Sequence, residues 1–139
     1  MRIYVCVKSP VNIAKRVKEI PFELDNAPQT LRELVRESVF TCIRLYRERA
    51  AASDFPMPLS DADFDRMKEI GKFAFGVHYN ENDLNEEEAV KTAVEAINDG
   101  LVRIFRNNEE LCVLDEKINI AEGDVFTFVR LTFLSGRLW

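Results

Sequence analysis

Histidine occurs once, at His78, so the chain can build neither a His-based metal cluster nor a two-histidine proton relay. Its five glycines form no phosphate-cradling loop, and G-x-G-x-x-G, G-x-S-x-G and H-E-x-x-H are all missing. Cysteine is scarce and odd in number. Cys6, Cys42 and Cys112 lie far apart, with no C-x-x-C and no metal-ligand spacing. That pattern points to free, buried thiols in a reducing compartment. No apolar run approaches the roughly 18 residues needed to span a bilayer. The opening segment Met1–Lys8 is too short and too interrupted by polar residues for a signal peptide, and it reads as a strand. A cytoplasmic protein is expected.

What is present suits one folded domain. A chain of 139 residues, 47% hydrophobic and 31% charged, is long enough to bury a core without disulfides or metal. The net charge of −5 is unevenly spread. Residues 1–50 carry ten Lys/Arg against six Asp/Glu, residues 51–100 four against twelve, and residues 101–139 five against six. The acidity therefore belongs to the middle of the chain. Such a molecule is a poor partner for a nucleic-acid duplex or an anionic membrane, both of which need a cationic footprint.

Residues 2–8 alternate, with Ile3, Val5 and Val7 on one face, as in a half-buried strand. After a turn at 9–12 a second extended run covers about 17–24, where Pro21 suits a sheet edge. Thr30-Leu31-Arg32-Glu33 is a capping box, and Leu31, Leu34, Val35, Val39, Cys42 and Ile43 follow at helical spacing. A helix over about 31–50 is expected. Residues 50–58 form a connector. Ser60, with Asp61 and Asp63, starts a short helix expected to stop near Gly71. The alternation of Phe73, Phe75, Val77 and Tyr79 then predicts a strand over 72–80, with Gly76 at a bend. Asn85 caps a helix to about Asn98, closed by Asp99-Gly100. Strands at 101–106 and 110–114 flank Asn107-Asn108, a pair that tolerates a tight hairpin. Glu122-Gly123-Asp124 is a turn before a long strand over 125–134.

This order is strand, strand, capped helix, insertion, hairpin, turn, strand. With Val102-Arg103-Ile104-Phe105 leading to Leu111 and Leu114, and with Ile118-Asn119-Ile120-Ala121-Glu122-Gly123-Asp124-Val125-Phe126-Thr127-Phe128, the chain resembles the β-grasp (ubiquitin-like) superfamily. Its C-terminal third is similar to the small sulfur-carrier proteins. The resemblance covers 1–50 and 101–139 and leaves 51–100 as an acidic helical insertion before the third strand. It implies an α+β fold, a mixed sheet against one long helix, in a single domain over 1–139. The family's carrier chemistry uses a C-terminal Gly-Gly. This chain ends Thr132-Phe133-Leu134-Ser135-Gly136-Arg137-Leu138-Trp139, with one Gly and three residues after it. A carrier activated at Gly136 would need its C-terminus processed and would still lack the first Gly.

The candidate sites are few. His78 could form an acid–base couple with Glu81 or Asp83, or a small-molecule site with Gly76 and Tyr79. A lone histidine at a loop edge is more often simply solvated. None of the cysteines has the adjacent base or cation that makes a thiolate nucleophile. Glu81, Asp83, Glu86, Glu87 and Glu88 could dock a basic partner. They do not match a calcium loop, and a helix's first turn already favours carboxylates. Arg32, Arg36, Arg44, Arg47 and Arg49 make a basic helix face, but Glu33, Glu37 and Glu48 are interleaved and offer ion pairs along the helix. No aromatic–basic platform for single strands is present. The segment Leu134, Gly136, Arg137, Leu138 and Trp139 places Trp and Arg, residues enriched at interface hot spots, beyond a Ser-Gly hinge. It either packs on its own sheet or anchors in a partner. The expected function is a non-catalytic protein-interaction module without metal or cofactor. It would bind a protein rather than nucleic acid or membrane, and its oligomeric state is not set by the sequence. The alternative is a divergent ubiquitin-like or sulfur carrier.

Overall fold

The computed structural model describes residues 1–8, 17–51, 61–77, 85–111 and 113–130. Among them the order is β1 (Arg2–Lys8), β2 (Val17–Glu23), α1 (Leu31–Ala51), α2 (Asp61–Phe75), α3 (Glu86–Asn98), β3 (Val102–Arg106), β4 (Glu109–Leu111) and β5 (Val125–Arg130). The fold is α+β. The strands form one mixed sheet in the order β2-β1-β5-β3-β4. β1 and β5 run parallel at its centre, with Tyr4 beside Val125 and Cys6 beside Thr127, and the other pairs are antiparallel. Pro21, which has no amide hydrogen to give a ladder, lies on the edge strand β2.

Local chemistry explains most boundaries. The Glu33 amide donates to the Thr30 hydroxyl at 3.1 Å and the Glu33 carboxylate returns to that hydroxyl, closing the N-terminus of α1. The Glu88 amide donates to Asn85 Oδ1 at 3.1 Å and starts α3. At the far end of α3, Gly100 adopts φ +78°, its amide bonds Ile97 O, and the Leu101 amide reaches Ala96 O. Asn107 and Asn108 take φ 48° and 86°, the left-handed pair that a two-residue hairpin between β3 and β4 requires.

The expected strand over 72–80 is corrected. α2 continues through Gly71 to Phe75 and ends where Gly76 turns to φ +68°. Phe73, Phe75 and Val77 alternate, but Met67, Ile70, Gly71, Ala74 and Phe75 also fall at helical spacing, and every member of that set is buried. Tertiary burial therefore decides between the two periods. Small residues at 71 and 74 let α2 lie close to β2, β1 and β5, and the Phe75 ring meets Phe128 edge-on at 5.0 Å. The expected turn at 9–12, the connector at 50–58 beyond Ala51, the Ser60 cap and the end of the last strand beyond Arg130 lie outside the described residues.

One hydrophobic core unites the sheet and all three described helices. Ile3, Val5 and Val7 of β1, Ile20 and Phe22 of β2, Ile104 of β3, and Phe126 and Phe128 of β5 are covered by Leu34 and Val39 of α1, Ile70 and Phe75 of α2, and Ala93 of α3. The described parts of 51–100 thus contribute to the core, since Met67, Ile70, Ala74, Phe75, Val77, Val90 and Ala93 are all buried. At about 1.5–3 kcal/mol for each large apolar side chain removed from water, these residues carry a substantial part of the fold's stability. No described helix is long and apolar enough to cross a membrane.

Candidate interaction face

Among the described residues the core cluster gathers on one side of the sheet. Strand side chains alternate, so the residues between the buried ones point to the other face. Register lines them up in rows. Pro21 stands beside Tyr4, and Tyr4 beside Val125. Cys6 stands beside Thr127, Thr127 beside Phe105, and Phe105 beside Glu110. Lys8 stands beside Val129, and Val129 beside Arg103. The three described helices pack on the opposite side, with the core. The centre of this face, which none of the described helices covers, is apolar or weakly polar, made of Tyr4, Cys6, Pro21, Phe105, Val125, Thr127 and Val129. Its rim is charged, with Arg2, Lys8, Glu19, Glu23, Arg103 and Glu110. Cys6 Sγ and Thr127 Oγ1 lie 3.2 Å apart and tie the middle row together. Cys6 is 7% exposed, a shielded thiol. The sequence shows which residues share a face through their period of two, but not that all three helices choose the same side.

One end of β5 is held by a polar knot. Asp124, 9% exposed, accepts from Arg106 Nε at 2.9 Å, from the Ala121 amide at 2.8 Å and from Asn107 Nδ2 at 3.3 Å. Asn107 Oδ1 in turn accepts from the Val125 amide at 3.0 Å, and Arg106 also donates to the Asn119 carbonyl. Burial pushes the Asp124 carboxyl up. The Ala121 amide, Asn107 and Arg106 outweigh burial and hold it below the usual carboxylate range. This cluster joins the β3–β4 turn to the loop before β5, and its members are committed to one another.

The arginines of α1 find partners on other elements. Arg32 reaches Asp115 at 2.8 Å, Arg36 reaches Glu87 through two bonds of 3.0 and 2.8 Å, Arg44 reaches Asp25, and Arg47 reaches Glu86. For Arg32, Arg36, Arg44 and Arg47 the ion pairs expected along the helix with Glu33, Glu37 and Glu48 thus give way to cross-element pairs. The hydrogen bond from Arg36 holds the Glu87 carboxyl below the usual range, as that from Arg32 does for Asp115. Of the acidic group expected to dock a partner, Glu86 and Glu87 face α1 through these pairs, and Glu88 is exposed in the first turn of α3. Glu81 and Asp83 lie outside the described residues, as do His78, Tyr79, Cys112 and the whole segment Leu134, Gly136, Arg137, Leu138 and Trp139. Cys42 is fully buried on α1. Among the described residues no three His, Cys, Asp or Glu side chains gather as a metal ion would require. Comparison with protein-family models, with curated proteins and with solved structures gives no match for the chain.

Proposed function

We propose that the chain is a β-grasp protein acting as a non-catalytic protein-interaction module, which contacts its partner through the sheet face opposite the described helices together with the C-terminal segment. The sheet order β2-β1-β5-β3-β4, with the first and last strands parallel at the centre and a capped helix after the first hairpin, supports the β-grasp reading. The observation that carries the function is the face itself. Seven apolar or weakly polar side chains lie in register on a rigid sheet inside a charged rim, the anatomy of a protein contact surface. The described part of β5 ends at Arg130, and the segment after it carries Leu134, Gly136, Arg137, Leu138 and Trp139, the residue types of an interface anchor, which we assign to the same contact.

The test is quantitative capture from native extract with three baits: the full chain, a chain truncated after Arg137, and Phe105→Asp. Phe105 is half-buried in the middle row, so a carboxylate there opposes partner burial while the helical core stays untouched. A partner held by the full chain and lost from both variants supports the module. A partner retained equally by all three excludes the sheet face and the tail together.

A further inference from the structure

The outer side of α1, turned away from the sheet, carries a second pattern. Residues 33, 37, 40, 44 and 47 follow one another in steps of four and three, the spacing that makes a single seam along a helix. Along it stand Glu33, Glu37, Phe40, Arg44 and Arg47, flanked by Arg36 and Glu48. Phe40 is the aromatic of this face, half-buried under the Arg36 guanidinium at 4.6 Å from the ring centre. It lies in an open concavity of about 630 Å³ bounded by Asp25 and Asn26 on one side and Glu86 on the other. Asp25, Glu86 and Glu87 orient the three arginines without covering them, since 38% to 50% of each arginine side chain stays exposed. Among the described residues Glu37 and Glu48 carry no ion pair.

The order along this seam is self-complementary. When two identical helices meet antiparallel about a two-fold axis, residue i faces residue j with i + j constant. With the axis at the level of residue 42, Glu37 faces the partner's Arg47, Arg36 faces the partner's Glu48, and Phe40 faces the partner's Arg44. Each of these three facing pairs is attractive, and the symmetry doubles each. Other arrangements are penalised. An axis two residues lower, level with residue 40, sets Arg36 against Arg44 even as Glu33 meets Arg47, one level with residue 44 sets Arg44 against itself, and a parallel pairing aligns every charge with its own copy. We propose that the outer face of α1 is a homodimer surface that takes a second copy of this chain, antiparallel, in this register. The sheet face is left free, so this inference stands or falls apart from the interaction module.

The seam is polar and short, so the dimer is weak, with a dissociation constant of about 10–100 µM, and salt-sensitive. Sedimentation equilibrium of the full chain from about 10 µM to about 1 mM, at low salt and in about 0.5 M salt, tests it. Phe40→Lys, which faces the partner's Arg44, and Glu37→Arg, which faces the partner's Arg47, each weaken association by about tenfold or more. Phe40→Glu retains it, because its carboxylate meets the same Arg44. Circular dichroism checks that each variant keeps its helices. Should Phe40→Lys fail to fold, Glu37→Arg applies the same test from a more exposed position. A monomer at every concentration overturns the proposal, as does a dimer indifferent to both substitutions. Equal loss with Phe40→Lys and Phe40→Glu overturns the register.

Discussion

Asp124 and Ser38 show how differently a buried polar side chain can be treated in this molecule. Asp124 accepts three hydrogen bonds, one of them from a guanidinium, and its pKa is lowered. A carboxyl whose folded pKa is depressed stabilises the fold above its unfolded value of about 3.9, and that stabilisation is lost as pH falls through the lower folded value. Asp124→Asn therefore lowers stability at pH 7 by about 1.5–3 kcal/mol. Urea midpoints compared at pH 7 and pH 3 should show the gap between wild type and variant shrinking at the lower pH. Ser38 is buried in the middle of the inner face of α1, and its Oγ has no hydrogen-bond partner among the described residues. An orphan hydroxyl costs its desolvation, and alanine is the better helix former. Ser38→Ala should raise the midpoint by about 1 kcal/mol equivalent, and a drop in stability would show that the hydroxyl is satisfied after all.

At the scale of elements, the β3–β4 turn separates backbone from side-chain effects. Asn107 and Asn108 share the left-handed conformation, but the Asn107 side chain bonds both Asp124 and the Val125 amide. Asn108→Gly should stabilise by up to about 1 kcal/mol, since glycine meets no steric penalty there. Asn107→Gly should destabilise, because it removes two bonds that hold β5. Thermal melts of the two variants should move in opposite directions. This turn, the Thr30 and Asn85 caps and the Gly100 stop were legible in the sequence because each depends on a few adjacent residues. The end of α2 was not. Phe73, Phe75 and Val77 fit a strand period, Gly71 reads as a stop, and only the contact of Phe75 and Ala74 with the sheet favours the helix. The partners of the α1 arginines were equally hidden, since Asp25, Glu86, Glu87 and Asp115 lie at distances along the chain that helical spacing does not reach.

At the scale of the whole molecule, the described residues divide between two sides of the sheet. On one, α1, α2 and α3 bury the apolar side of the sheet, and the acidic middle of the chain supplies part of that core. On the other, the rows through Tyr4, Thr127 and Val129 face away from the helices. Alternation in β1 and β5 made the membership of the two faces readable, but strand order and the side taken by the helices arise from contacts between distant segments. A mixed sheet whose second side carries none of the described helices presents in-register rows of side chains that a partner could bury. The central claim is that this face, together with the C-terminal segment, holds a protein partner. Capture from native extract with the full chain beside Phe105→Asp tests it most directly, with circular dichroism confirming that both baits are folded. The account predicts a stoichiometric partner on the full chain and its loss from the folded variant. The same partner in equal amount on both would contradict it.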